Sequence, residues 1–304
     1  MYVQNICAGS SHSLALSDTG HVYTWGEGSF GQLGTGDKFS SLEARPIFLD
    51  PSLYISKISA GVAHSSAITT TGQLLMWGAN TGCQLGYGRE MRDSLAPILF
   101  GGKIKIESTL EEEKSEEADF KLDLGFNYVD VVCGSSQTLA LIDKSPYLMC
   151  WGNGDPVAST YSEVFDFDKP IMYDCGGKNA VILTEKGNLF KINLETKALE
   201  KVRGDTSLGH STPVTPALHR SVSQEEQSTQ GITQVKCGSD FILALKTDGN
   251  LYGLGQNKCG QLGQGDFKMR EGFTVFESLL NEQIKSVEAG NHHACCIVDR
   301  ADPL

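Results

Sequence analysis

The chain has 304 residues, 40% of them hydrophobic and 20% charged, with a formal net charge of −12. That is enough material for one large domain or two ordinary ones, and so acidic a chain is not held on nucleic acid by bulk electrostatics. No run of eighteen apolar residues occurs, so no membrane-spanning helix is expected.

The opening, MYVQNICAGS, lacks a basic segment followed by an apolar one, so no secretory leader is expected there. Nine cysteines, none in a C-x-x-C pair, suit free thiols in a reducing compartment, and the expected location is cytoplasm or nucleus. The 34 glycines against nine prolines point to many tight turns, and hence to many short strands.

ICAG (6–9) reads as a short buried strand. HSLAL (12–16) and VYTWG (22–26) alternate in strand fashion, and DTG (18–20) between them supplies a hairpin turn. The next stretch, GEGSFGQLG (26–34), places Gly26, Gly28 and Gly31 at the G-x-G-x-x-G spacing of a dinucleotide-cradling loop. A fourth, weaker strand fits 46–49, where Pro46 suits a first or edge position.

Further along, the same signals return. Strands ending in glycine recur as ISAG (58–61), VVCG (131–134), YDCG (173–176), VKCG (235–238) and VEAG (287–290). A second glycine follows the first by eleven residues in the pairs Gly9–Gly20, Gly61–Gly72, Gly176–Gly187 and Gly238–Gly249; Gly134 and Gly290 lack it. Five residues later stands a large apolar residue, at Trp25, Trp77, Ile192 and Leu254, with Trp151 one place late. Gly26 and Gly78 follow their tryptophans, and GQLG (31–34), CQLG (83–86) and GQLG (260–263) share one register, ending in Gly34, Gly86 and Gly263. A period near fifty residues with four short strands per unit is one propeller blade. Blades stack because none covers its own apolar faces.

The repeat decides the glycine loop. The counterparts of GEGSFGQLG, namely GANTGCQLG and GQNKCGQLG, lack the G-x-G-x-x-G spacing, and no helical pattern follows to offer an N-terminus to a phosphate. These glycines are turn residues. No cofactor is expected.

The composite CxGxxHSLALxxxGxVYxWGxxxxGQLGxGD, present in residues 7–37 and echoed at 58–88 and 235–266, resembles the regulator of chromosome condensation repeat. It covers nearly the whole chain apart from inserts at 101–128 and 204–231, and degenerates in copies three and four. The resemblance implies an all-β propeller of four-stranded antiparallel blades, usually seven. Here six copies of the glycine-ended strand and five of the following strand imply about six blades, in an incomplete ring or one closed by a composite blade, within a single domain of 1–304. It also implies functions ranging from general protein binding to guanine-nucleotide exchange on the small GTPase Ran. The first reading is a non-enzymatic interaction or scaffold propeller, the second an exchange factor. Protein partners, possibly including a small GTPase, are expected.

Contact candidates lie in the loops: Glu27, Ser29, Phe30, Asn80, Gln256, Asn257 and Lys258. Phe30, an aromatic in a polar loop, is a candidate anchor. His12, His64 and His293 recur three residues after the repeat glycine, which suits hydrogen bonding to a neighbouring backbone group better than metal binding. Cys133, Cys175 and Cys237 read as small buried residues, and core packing is also expected of Cys295 and Cys296. Cys83 stands where Gly31 and Gly260 stand, a place that suits a partly exposed thiol. No catalytic signature and no metal-ligand set is present. Within the inserts, 107–123 carries eight carboxylates against Lys114 and Lys121, half of the net charge; Ser223, before Gln224-Glu225-Glu226, is a candidate phosphorylation site.

Overall fold

Each repeat begins with a strand whose apolar residues are three apart, as in Val3/Ile6 and Ile55/Ile58, a spacing that would leave a regular strand with one on each face. A bulge reconciles them. The pairing register slips at the second or third residue of the first strand in all six sheets, between Val3 and Asn5, Ile55 and Lys57, Tyr128 and Asp130, Pro170 and Met172, Ile232 and Gln234, and Ile284 and Ser286. The extra residue returns the second apolar side chain to the face of the first.

The computed structural model describes residues 2–100, 104–105, 126–143, 148–161, 168–202, 231–280 and 282–299. The chain divides into two compact units, Met1–Phe167 and Asp168–Leu304. The fold is all-β, built of antiparallel propeller blades.

In the first unit, sheet one holds β1 (Val3–Ala8), β2 (His12–Ser17), β3 (Val22–Gly26) and β4 (Ser41–Pro46), in that order. Sheet two repeats it with β5 (Ile55–Ala60), β6 (His64–Thr69), β7 (Leu74–Ala79) and β8 (Asp93–Leu99). After β9 (Ile104–Lys105), sheet three holds β10 (Tyr128–Cys133), β11 (Gln137–Ile142), β12 (Leu148–Gly152) and β13 (Asp155–Tyr161), and β9 lies parallel against the outer edge of β13. The outermost strand of sheet one is 41–46, earlier than the 46–49 expected; Pro46 ends it and pairs with Tyr23.

The second unit has sheet four, with β14 (Pro170–Cys175), β15 (Asn179–Thr184), β16 (Leu189–Asn193) and β17 (Leu199–Lys201). Sheet five holds β18 (Ile232–Cys237), β19 (Phe241–Lys246), β20 (Leu251–Gly255) and β21 (Arg270–Val275). A two-stranded sheet six, β22 (Gln283–Ala289) with β23 (Ala294–Asp299), follows. The degenerate copies still build four strands, because tight turns at Asn153-Gly154 and 194–196 replace the long Gly-Gln-Leu-Gly loop.

The core lies between successive sheets. Leu14, Leu16 and Val22 of sheet one meet Ile55, Ile58, Leu75 and Trp77 of sheet two. Ile68, Met76 and Phe100 of sheet two meet Tyr128, Val131 and Trp151 of sheet three, with Phe100 stacked on Trp151 at 4.5 Å between centroids. In the second unit Val181, Leu183 and Leu189 pack on Val235, Ile242 and Phe273, and Phe241, Leu243 and Leu251 on Ile284 and Val287. Each buried leucine of this kind stabilises the stack by about 1.5–3 kcal/mol.

The thiols sort by the same packing. Cys133, Cys175 and Cys237 are buried as expected; burial pushes the Cys133 thiol up to about 11. Cys83 is buried rather than partly exposed, and it holds φ 60 at the register of Gly31. Cys295 is exposed, against the expectation of core packing. The phosphorylation candidate Ser223 and the acidic run 107–123 lie outside the described residues.

Leu14→Ala should therefore lower unfolding free energy by about 2–5 kcal/mol in urea titration. Leu42→Ala, at a fully exposed side chain of the outer strand, should change it by less than about 0.5 kcal/mol.

Candidate partner-binding loops

The loop 26–34 follows β3, and its Gln-Leu pair is buried. The backbone carbonyl of Gln32 crosses to sheet two, where it accepts from Ser65 Oγ and from Trp77 Nε1, each at 2.9 Å. Ser65 Oγ also meets His12 Nε2 at 2.8 Å. The same relay recurs one sheet on: Gln84 O accepts from Thr138 Oγ1 at 2.9 Å and Trp151 Nε1 at 2.8 Å, and Thr138 Oγ1 meets His64 Nε2 at 3.0 Å.

Because each hydroxyl donates its one proton to the glutamine carbonyl, it is left to accept from the histidine. That fixes both imidazoles as the Nε2–H tautomer and leaves Nδ1 bare; among the described residues Nδ1 of His12 and of His64 has no hydrogen-bond partner. The bond expected of these histidines, to neighbouring backbone, is instead a bond to a side-chain hydroxyl of the next sheet. Burial pushes the His12 pKa down to about 4 and that of His64 to about 3, His12 adding to the effect on His64.

Two glycines make the relay possible. A Cβ on Gly9 would stand 2.2 Å from Gly61 O and 2.4 Å from the His12 ring, and one on Gly34, at φ +69, 2.8 Å from Trp77 Nε1. No side chain fits either place.

The Gln32 side chain serves its own loop, its Oε1 accepting from Phe30 N–H at 2.9 Å; Gln84 and Gln261 do the same for Gly82 and Cys259. The loop is architecture, as its repeat register implied.

The contact candidates now separate. Asn80 and Asn257 are buried and are not surface groups. Asn80 accepts from Leu85 N–H and donates to the carbonyls of Gly88 and Met91, each at 2.8 Å. Asn257 accepts from Leu262 N–H and donates to Asp266 O. Their polarity suggested surface; in fact they hold their loops shut. Gln256 is half-buried, its Nε2 against Met269 Sδ. Glu27 accepts from Ser29 N–H at 3.1 Å; its bonds to Ser29 hold the carboxyl below the usual range.

Ser29, Phe30 and Lys258 are exposed. In sheet one's loop Phe30 is joined by exposed Phe39, whose backbone packs on Gly28, and by Lys38, paired with Asp93 at 2.7 Å. In sheet five's loop Phe267 and Met269 are exposed, as is Lys258. Sequence reading missed Phe39, Phe267 and Met269; their signal was an apolar residue just past the last loop glycine, outside the repeat. Of the repeat histidines, His293 is exposed.

Residues 3–32, 55–83 and 232–261 match one profile of the regulator of chromosome condensation (RCC1) repeat, and 19–68 and 248–297 match a second. The chain belongs to the RCC1 repeat family. Over 97% of its length it is 28% identical to the human E3 ubiquitin-protein ligase HERC2, of which it spans 6%, and over 98% it is 27% identical to the Arabidopsis thaliana ultraviolet-B receptor UVR8, of which it spans 63%. Among solved structures, human WBSCR16 superposes with a TM-score of 0.74 at 20% identity, covering 97% of this chain and 72% of that one. Yeast RCC1 (Prp20), solved bound to Kap60, superposes at 0.66 with 16% identity over 97% of this chain and 67% of that one. These likenesses establish the RCC1 propeller fold. Among the described residues no helix is long and apolar enough to cross a membrane.

The relay gives a pH signature. Unfolded histidine titrates near 6.5, above both folded values, so below pH 6.5 the unfolded chain binds protons that the folded one refuses. The contribution is present above pH 6.5 and falls by ~1.4 kcal/mol per pH unit for each histidine down to about 4. In the second unit desolvation pushes Asp174 up to about 6, so its contribution runs the other way, fullest below 3.8 and lost as pH rises through 6. Urea midpoints measured from pH 7.5 to 4.5 should fall steeply, and His12→Gln with His64→Gln should flatten that slope.

Proposed function

We propose that this RCC1 repeat chain, taken as one interaction module over 1–304, is a non-enzymatic scaffold or regulatory propeller that presents loop tips to a protein partner. The observation that carries this reading is a division of labour within each loop. Gln32, Leu33 and Asn257 are consumed by the fold, whereas Phe30, Phe39, Lys258 and Phe267 stand exposed in the same loops of sheets one and five. Exposed aromatic groups in a rigidly held polar loop are the composition of binding hot spots. Glu27, Ser29 and Gln256 frame them.

The solved relative Prp20 has been crystallised with Kap60, and a second structure of the same protein is described together with its binding to Gsp1p and histones; both support protein partners for this chain. We place it in the cytoplasm or nucleus, with no cofactor, no direct nucleic-acid contact and no membrane. The second reading, exchange on a Ran-like small GTPase, rests on that Gsp1p-binding relative. It is tested by release of a fluorescent guanine nucleotide from Ran, where acceleration by the intact chain supports exchange and its absence removes it.

For the first reading, partners recovered from extract by the intact chain should be lost on Phe30→Ala/Phe39→Ala or Phe267→Ala/Met269→Ala. Both double variants should unfold within about 0.5 kcal/mol of the parent, because these positions are exposed. Unchanged partner recovery by both would overturn the loop assignment.

A further inference from the structure

Sheets one and five each carry a loop with an exposed aromatic side chain, and the two loops differ in charge. In sheet one's loop the cations are already engaged: Lys38 is paired with Asp93 at 2.7 Å and Arg45 with Asp37 at 3.6 Å. In sheet five's loop a single ion pair does the holding. Arg270 Nη2 reaches Asp266 Oδ2 at 3.0 Å, its Nη1 donates to Lys268 O at 2.8 Å, and Asp266 Oδ1 accepts from Lys268 N–H at 3.0 Å. Asn257 adds a bond to Asp266 O at 2.7 Å. Lys258 and Lys268 are left over. Both are exposed, and among the described residues no carboxylate is paired with either.

The apolar groups of this loop lie among its spare cations. The Phe267 ring sits over Gly260, 3.7 Å from where a Cβ would stand, and Gly260 is two residues along from Lys258. Met269 Sδ is held by Gln256 Nε2 at 3.2 Å. Phe267 is 71% and Met269 50% exposed, with Lys268 between them in the chain. Because Asp266, Arg270 and Asn257 already tie the stretch 266–270, little backbone entropy is lost when something docks on it. An incoming carboxylate meets an ammonium here without displacing a resident one, as it would have to at Lys38. A long polyanion fits less well, since beyond this loop it meets a chain whose formal net charge is −12.

We propose that the loop of sheet five, 256–270, docks an acidic segment of another protein, one that carries apolar side chains among its Asp and Glu residues. This rests on the reading of the loops as partner surfaces and adds the chemistry that selects the partner. The apolar side chains pack on Phe267 and Met269, and the flanking carboxylates meet Lys258 and Lys268. Burial of the apolar pair supplies the affinity; the two exposed ammonium groups supply the choice of sign and a salt-dependent association rate.

A fluorescein-labelled peptide of Asp and Glu with a central Phe-Leu pair is titrated with the full chain and followed by anisotropy. It should bind, and bind more weakly as salt is added. Lys258→Glu with Lys268→Glu should weaken binding about tenfold or more, and Lys258→Gln with Lys268→Gln should fall between that and the parent. Phe267→Ala with Met269→Ala should cost about as much while keeping the salt dependence; Phe30→Ala with Phe39→Ala in sheet one should change nothing. A matching peptide with Lys in place of every Asp and Glu should not bind. Circular dichroism checks that each variant folds, as the exposure of these positions leads one to expect. No binding of the acidic peptide, undiminished binding by both lysine variants, or tighter binding of a single-stranded oligonucleotide overturns the proposal. Partner recovery from extract separates this from the loop reading itself. Partners lost on Phe267→Ala/Met269→Ala but kept on Lys258→Glu/Lys268→Glu would overturn the acidic preference and leave the loop a partner surface, whereas partners kept by both variants remove the two together.

Discussion

Everything in this molecule depends on a four-stranded sheet having two apolar faces and no means to cover either. β2 and β6 are buried almost end to end, which a solitary sheet cannot provide. Stacking solves the apolar part of the problem and creates a polar one, since the loop after the third strand must cross a dry interface with its backbone groups exposed to no water. An unpaired carbonyl there would cost about 1–3 kcal/mol. Gln32 O and Gln84 O each receive two donors from the following sheet, and so the loop that crosses the gap becomes the tie that fixes the sheets in register.

Between sheets four and five that coupling explains why the loop and its donors are missing together. In the second unit sheet four lacks the Gly-Gln-Leu-Gly loop, and sheet five has Ile242 and Leu254 where a hydroxyl and a tryptophan would answer it. Phe241, buried, fills the place of the histidine, its ring 1.8 Å from a Cβ imagined on Gly238. With no carbonyl to satisfy, the donors have nothing to do and apolar side chains pack instead. What remains of the polar tie there is a side chain reaching a backbone group: Asp174 Oδ2 accepts the N–H of Cys237 in the next sheet, as Ser59 Oγ at the same register accepts that of Cys133 in the first unit.

The sequence disclosed the sheet order, the turns and the architectural role of the glycine loop, because strand alternation and repeat register survive in a one-dimensional string. It hid three things, each for a physical reason. The bulge in every first strand places Ile55 and Ile58 on one face although they are three apart, a spacing that strand periodicity reads as opposite faces. Asn80 and Asn257 look like surface groups by residue type, and only the loop's closure shows that their amides replace missing backbone partners. The outer strand of sheet one shifted to 41–46 because its pairing is set by β3, and the apolar run 47–49 instead turns inward at Ile47, which is buried.

The positions that identify the family and the positions free to recognise a partner are therefore largely different sets. His12, Gln32, Leu33, Trp77 and their counterparts are retained by the demands of a dry interface, and once buried they read nothing outside the molecule. Phe30, Phe39 and Phe267 lie between or just beyond those positions, on loops whose shape the buried set has already determined. Substitution there leaves the hydrogen bonds and packing of the stack untouched, so the same scaffold tolerates many surfaces. A chain built this way inherits its fold from the motif and leaves the residues that the motif ignores free to vary, which is why strong repeat matches specify a propeller so well and a partner so poorly.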